Sequence, residues 1–332
     1  MSLLVAIVVG HGSTLHGQES VKEWRLSGTF FITDAEVGDD GRIYAADKEQ
    51  SQIRIFDADG DLIRAVGRKG KGPGEFQEPL AVALSPDERM FAVRDENRRV
   101  SLFSRDGTYQ QSFVLSNILP SGSASMTFVN DSLLAIGGFK PKSMYSGDVI
   151  HFYALDGTPV SSFFSRTEKA KELKVTARVG VGFDRYDDRL FAIQPVDYAV
   201  SVFTLDGERT GTIRISPLPD HFQPPTTPQP NPMEDRAGAL KWSQESDVLR
   251  RLFVLDENHL LVTVQKLTDP DVAYWMDIVG KDDGRVVHSR PVEGWVVNTD
   301  SERGWIYIAE AQEDAPVTLL RVYRVEEWIE SQ

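Results

Sequence analysis

Cysteine is missing altogether from this 332-residue chain. That excludes disulfide frameworks, thiolate metal sites, iron–sulfur clusters and cysteine nucleophiles together. Long apolar runs are missing too. The one that stands out near the start, Leu3 to Val9, is far below the roughly 20 residues that cross a bilayer as a helix. Basic charge is in deficit: 36 Lys and Arg stand against 50 Asp and Glu, a net charge of −14. A nucleic-acid partner is therefore not expected, because such binding draws its affinity from neutralised phosphates. The six histidines, His11, His16, His151, His221, His259 and His288, form no HxH or HExxH pair, so no histidine metal site is expected. There is also no GxSxG elbow and no glycine fingerprint opening a helix, the marks of hydrolase and dinucleotide chemistry.

What is present is a globular composition, 41% hydrophobic and 26% charged, long enough for one large or two ordinary domains. The short apolar run matches a secretory core segment, about 7–15 residues. No Lys or Arg precedes it and no Ala-x-Ala site follows, yet the polar stretch His11 to Ser20 reads as processed material. Residues 1–20 are therefore read as a signal segment, and export to the periplasm or exterior is expected. The alternative is a cytoplasmic chain with a frayed terminus. No Cys follows the run, so a lipid anchor on cysteine is excluded.

A repeat organises the rest. Ile53-Arg-Ile-Phe-Asp-Ala-Asp-Gly60, Val100-Ser-Leu-Phe-Ser-Arg-Asp-Gly107, Ile150-His-Phe-Tyr-Ala-Leu-Asp-Gly157 and Val200-Ser-Val-Phe-Thr-Leu-Asp-Gly207 align, and a looser fifth copy ends at Asp283-Gly284. Asp-Gly between two short β-branched and aromatic runs is a strong hairpin signal. Two further apolar runs lie upstream of each turn, such as Leu80 to Leu84 and Met90 to Val93. That makes four strands per unit of about 45–50 residues, the period of propeller blades. The last unit lacks a fourth strand, and Val21-Lys-Glu-Trp-Arg-Leu-Ser27 has no unit of its own. Placed as the missing outer strand, it closes a ring with no free sheet edge. The expected fold is all-β: a six-bladed β-propeller of four-stranded antiparallel blades over 21–332, closed by an N-terminal strand.

Units one and two carry Tyr44-Ala-Ala-Asp47, then Ile53 to Phe56, Asp59-Gly60, and the connector Gly67-Arg-Lys-Gly-Lys-Gly-Pro-Gly-Glu-Phe76 leading to Pro79. The second unit repeats it as Val93-Arg-Asp95-Glu-Asn97-Arg-Arg99-Val100. This pattern resembles the NHL-repeat class of six-bladed propellers, and among them bacterial proteins of unassigned activity. The resemblance is good over roughly 40–115 and fades afterwards. Gly138 and Gln194 stand where the repeat aspartate belongs, and Gln52 where the class usually has arginine.

Blade topology puts all the Asp-Gly turns on one face and the blade-to-blade connectors on the other. Variable loops on a rigid scaffold are where binding resides, so the site is expected on the connector face, around the channel mouth. Three connectors supply candidates. The first carries Arg68, Lys69 and Lys71; the second, Ser165 to Val175, carries Lys169 and Lys171 interleaved with Glu168 and Glu172. The third, a Pro-rich insertion at about 216–247, holds seven of the 17 prolines between Ser216 and Pro232, a stiff strap. Asn231-Pro232-Met233-Glu234 then reads as the capped start of a helix over about 233–244 that carries Trp242. Strap and helix are expected either to lie across the channel as a lid or to pack on the rim. The innermost strands offer Asp34, Glu36, Arg178, Arg250 or Arg251, and Asn298. Asp57-Ala-Asp59-Gly60-Asp61 faintly suggests a calcium loop, but position twelve is Arg68 where a glutamate is needed.

The candidate ligand-binding set is Arg68, Lys69, Lys71, Lys169, Lys171, Arg178, Arg250 and Trp242. It suits a protein segment, a glycan or a small anionic ligand, bound by a monomer without cofactor. The alternative, drawn from the six-bladed propellers the chain resembles in architecture, is a divalent-metal lactonase or lyase at the channel mouth.

Overall fold

The structure, a computed structural model, describes residues 14–15, 18–29, 31–120, 125–140, 146–175, 180–231, 234–267, 272–312 and 317–329. Most of the expected signal segment lies outside them. Within it, Thr14–Leu15 pairs with Gln18–Glu19 in a two-residue ladder.

Each repeat folds into one antiparallel sheet, with the strands in chain order from the centre outwards. Blade 1 comprises Ile32–Val37, Ile43–Asp47, Gln52–Phe56 and Leu62–Val66. Blade 2 comprises Pro79–Leu84, Met90–Asp95, Arg99–Ser104 and Tyr109–Val114. Blade 3 runs Met126–Asn130, Leu133–Phe139, Asp148–Ala154 and Pro159–Ser165, with the short strand Leu119–Pro120 added beside its second strand. Blade 4 is Gly182–Tyr186, Arg189–Gln194, Asp197–Thr204 and Arg209–Arg214. Blade 5 is Val248–Val254, His259–Leu267, Val272–Gly280 and Val286–Val292. Blade 6 takes Trp295–Asp300, Trp305–Ala311 and Val317–Arg324 from the end of the chain, and its outermost strand, Lys22–Ser27, from near the start. The all-β six-bladed ring expected from the repeat is the observed one.

The repeated glycine does two jobs at once. Gly60, Gly107, Gly157, Gly207 and Gly284 all have φ between +67 and +88°, which side chains resist. Each also presses on the outer strand of the preceding blade. A Cβ at Gly60 would lie 2.8 Å from the Trp24 ring, one at Gly107 2.5 Å from Val66, and one at Gly157 2.6 Å from Phe113. Gly207 meets Phe163 in the same way at 2.7 Å, and Gly284 meets the Arg214 carbonyl at 2.0 Å. The hairpin turn is therefore also the blade-to-blade contact.

The closing strand is held accordingly. Trp24 is 4% exposed, and its indole and the Lys22 ammonium both donate to the Ala58 carbonyl in the turn of blade 1, at 2.9 and 2.6 Å. Glu23 accepts from Arg321 at 2.9 Å.

The insertion between blades 4 and 5 differs from expectation in one respect. Its helix is Arg236–Gln244, capped by Asp235, whose carboxylate accepts from Gly238 N at 2.8 Å. The cap therefore falls four residues later than Asn231, and no acid stands in the helix's first turn. Pro232 and Met233 lie outside the described residues. Thr167 caps the short connector helix Glu168–Glu172.

Replacing Gly157 by alanine combines a strained φ with overlap on Phe113, and should cost about 1–3 kcal/mol in urea unfolding. Alanine at Gly211, where an added Cβ meets only Val202 at 4.0 Å, should cost far less.

Candidate functional site

The innermost strands bring their polar residues together around the central channel. Arg251 pairs with Asp34 at 2.7 Å and donates to the Val297 carbonyl at 3.1 Å. The second Asp34 oxygen accepts from Val82 N at 3.1 Å. The Asn298 amide donates to Glu36 at 2.8 Å. Asp184 accepts from Val254 N and Arg185 N at 2.9 and 2.8 Å. Side chains from four blades thus meet in one cluster, and a fifth adds the Val82 N–H. Inner-strand bulges at Thr33, Leu80, Arg250 and Val297 re-aim the residues that follow.

Three carboxylates share this space with Arg251, and burial decides their charge. Burial raises Asp34 against the pull of Arg251. Burial, then repulsion from Asp34 and Asp184, holds Glu36 well above the usual carboxylate range. Burial pushes Asp184 up to about 6. These residues and their neighbours leave a void of about 60 Å³, room for little more than a water or two. Ligand pockets run to several hundred.

Asp34, Glu36, Arg251 and Asn298, read from the sequence as channel candidates, do converge. Asp184 was missed, since an acid in Gly-Phe-Asp-Arg-Tyr looks like ordinary strand alternation. Among the described residues no three of His, Asp and Glu are placed to hold a metal. Arg250 sits beside Arg251 and Tyr274, its guanidinium depressed by burial. Arg178 lies outside the described residues.

The connector candidates are scattered. Arg68 is tied to Glu75 at 2.8 Å within its own loop. Lys69 and Lys71 are exposed beside it. Lys171 pairs with Glu168 at 2.6 Å, and Lys169 is exposed on the same short helix. The two basic connectors stand two blades apart on the ring. Trp242 is 5% exposed and packs with Ala170, Leu173, Val175 and Val196; its indole donates to the Thr227 carbonyl at 2.7 Å. It pins strap and helix onto the connector before blade 4, and so offers a ligand no free surface. Gln194 replaces the repeat aspartate and does its work: Asp95 accepts from connector residue Gln77 N at 3.2 Å, and Gln194 accepts from Thr167 N at 3.0 Å.

Two larger hollows lie outside the channel. The first, about 520 Å³, is walled by strap residues 217–221 and by Trp275, Arg285, Val286 and Ser289 of blade 5. At its edge His221 stacks on Trp275 at 4.3 Å, with Nε2 3.2 Å from Asp277 Oδ2 and Nδ1 3.2 Å from Ser289 Oγ. Serine, histidine and aspartate meet here, but the Ser289 hydroxyl donates to Asp277 at 2.5 Å, as does that of Tyr198. The imidazole therefore receives no proton from the serine, and the group anchors the strap. Lys266, bonded to the His221 carbonyl and paired with Asp247 at 2.9 Å, adds to the hold. The second hollow, about 690 Å³, opens between blades 4 and 5 on the turn face.

Ring, inner-strand cluster and strapped flank define a six-bladed propeller whose larger hollows, among the described residues, lie away from that cluster. The chain belongs to the DUF5128 family, described as "6-bladed beta-propeller", whose model matches residues 33–216. No curated protein matches it. Among solved structures it is similar to a DUF4221 family member from Bacteroides vulgatus, at 12% identity and TM-score 0.63, covering 92% of this chain and 98% of that one. A Bacteroides fragilis "Putative exported protein" is similar at 13% identity and TM-score 0.62, covering 91% and 94%. So are the RRP9 WD40 repeats, at 13% and 0.56, covering 93% and 81%. Identities this low show the fold alone.

The raised carboxylates set a pH dependence. An acid whose folded pKa exceeds its unfolded one contributes stability below the unfolded value and loses it as pH rises through the folded one. For Asp184, raised from 3.8 to about 6, that is roughly 3 kcal/mol lost between pH 4 and 7, at about 1.4 kcal/mol per unit. Urea unfolding should show this fall in the wild type and a flatter profile in Asp184→Asn. Trp242→Ala should cost about 3–5 kcal/mol and open 217–243 to limited proteolysis.

Proposed function

We propose that this chain is a non-catalytic recognition module, monomeric and exported, that holds a protein segment, a glycan or a small anionic ligand by shape and charge. The contrast in free volume carries the reading. Around the channel cluster, where a propeller enzyme would gather its donors, the paired side chains leave about 60 Å³ among the described residues. The strap on the connector side and blade 5 enclose about 520 Å³, within the several hundred typical of ligand sites. Binding there needs no covalent step.

Two further parts of the reading rest on narrower support. We take the repeat as NHL-like, because Asp47 and Asp95 at the ends of second strands accept backbone N–H groups from Gln50 in the following loop and from Arg99 at the start of the third strand, at 3.1 and 3.0 Å. Export is supported by the Leu3–Val9 run and by one similar structure being named for export. The metal-dependent lactonase or lyase alternative gains no observation in its favour, since Glu36 and Asn298 are bonded to one another.

A thermal-shift screen of sugars, organic acids, peptides and divalent metals tests the proposal. A ligand present at about a hundredfold excess over its Kd should stabilise the fold by about 2.7 kcal/mol, with no metal needed. Charge reversal at Lys69 and Lys71, then at Lys169 and Lys171, should weaken only anionic ligands. A stoichiometric divalent ion in the purified protein, with turnover of a lactone, would replace this reading with the enzymatic one.

A further inference from the structure

The six blades provide their own comparison. On each outer strand one position faces the same residue of the third strand: Arg64 opposite Ile55, Gln111 opposite Leu102, Ser161 opposite Phe152 and Gly211 opposite Val202. In the first two blades this side chain reaches across the seam to the next blade's Asp-Gly turn. Arg64 donates to the Asp106 carbonyl at 2.9 Å, and Gln111 to the Leu155 carbonyl at 3.1 Å. Lys22 and Trp24 stitch blade 6 to blade 1 in the same manner. In blade 4 the position is glycine, and an added Cβ there would find only Val202 at 4.0 Å. No turn or positive φ calls for this glycine. Its effect is that no side chain from this position reaches blade 5; the seam is closed further along by backbone alone, Ser216 N donating to the Gly284 carbonyl at 3.2 Å.

The hollow of about 690 Å³ lies at this seam. Gly211, Val202 and Phe191 form its apolar floor, and Thr204 and Thr210 line it beside them; the Thr212 hydroxyl instead accepts from Arg209 at 2.7 Å, next to Ser201 on the other face of the strand. Lys281, from the turn of blade 5, stands in one wall. Its ammonium is fixed by the Asp256 carbonyl at 2.6 Å and by the rings of Tyr186 and Phe191, 4.4 and 5.0 Å from their centroids. One carbonyl uses one of its three N–H groups. Asp187, Asp188, Glu257 and Asp282 line the rim, facing Arg189.

Resting on the reading of the chain as a binding module, we propose that this seam, apart from the strap hollow, is a second ligand site, and that its ligand is a neutral saccharide. Chemistry selects the class. A sugar hydroxyl donates and accepts at once, and the site presents fixed donors and acceptors side by side around an apolar strip. An anionic ligand would face four carboxylates against two cations. A basic peptide would use the acceptors and meet the Lys281 ammonium. The site lies on the turn face, opposite the connectors.

The test measures binding of maltotriose, cellotriose, laminaritriose, mannotriose and xylotriose to the full chain by calorimetry and saturation-transfer NMR. Gly211→Arg places in blade 4 the side chain blade 1 carries, and fills the groove; its unfolding transition should match or exceed the wild type's. At least one trisaccharide should bind the wild type, with about tenfold or greater loss in Gly211→Arg and a smaller loss in Lys281→Met. Saccharide binding that Gly211→Arg leaves unchanged overturns the site. A preference for succinate or trilysine over every trisaccharide, lost in Gly211→Arg, overturns the ligand class. If no trisaccharide binds while another compound of the thermal-shift screen does, this inference fails and the recognition reading stands. If nothing in either set binds, both fail.

Discussion

A turn that must be glycine for its backbone angle, and must also be glycine because the neighbouring blade leaves no room for a side chain, governs this molecule. Each Asp-Gly hairpin lays its backbone on the outer strand of the blade before it, against Trp24, Val66, Phe113, Phe163 or Arg214. Spacing between blades is thereby set at the rim, by backbone contact. The apolar inner faces of successive sheets then fill the wedge, as in the cluster joining Tyr44, Val66, Val82 and Phe91 across blades 1 and 2. Interiors packed like crystals transmit such a constraint from rim to centre.

At the centre, the inner strands meet with more polar side chains than the space can keep ionised. Burial and mutual repulsion favour neutral acids there, and Arg251 compensates only one of them directly. An arrangement of this kind costs stability at neutral pH and leaves little free volume. Among the described residues, larger free volume lies away from this cluster, at the seam beside Gly211 and at the flank where the inserted strap lies over blade 5. The strap is held by buried contacts, the Trp242 indole on the Thr227 carbonyl, Lys266 paired with Asp247, and His221 stacked on Trp275, which makes it a fixed wall and not a hinged cover.

Periodicity made the architecture legible. The Asp-Gly spacing and the orphan strand Lys22–Ser27 were enough for six blades and for the closure. The site was harder, for reasons of distance along the chain. Glu36 and Asn298 are 262 residues apart and Asp34 and Arg251 217; no local motif records such meetings. Topology placed these four at the channel, but only their pairing shows that they consume one another. Asp184 carried no signal at all. The basic connectors looked like one positive face because the sequence gives composition but not azimuth, and two blades separate them. Trp242 looked available because helix amphipathicity does not reveal what the strap will do. Gln194 looked like a lost repeat residue, whereas its amide supplies the same acceptor as aspartate.

The closing strand also fixes how the ring would respond to force. Lys22 lies opposite Val322 and Ser27 opposite Val317, so the chain leaves this pair towards residue 21 and towards residue 323 at the same end. Tension applied through both flanks would load its backbone hydrogen bonds one after another, as in opening a zip. It would not shear them all together. Blade 6 is therefore the mechanical fuse of the ring, and once it parts, Trp24 and the turn of blade 1 lose each other in the same event.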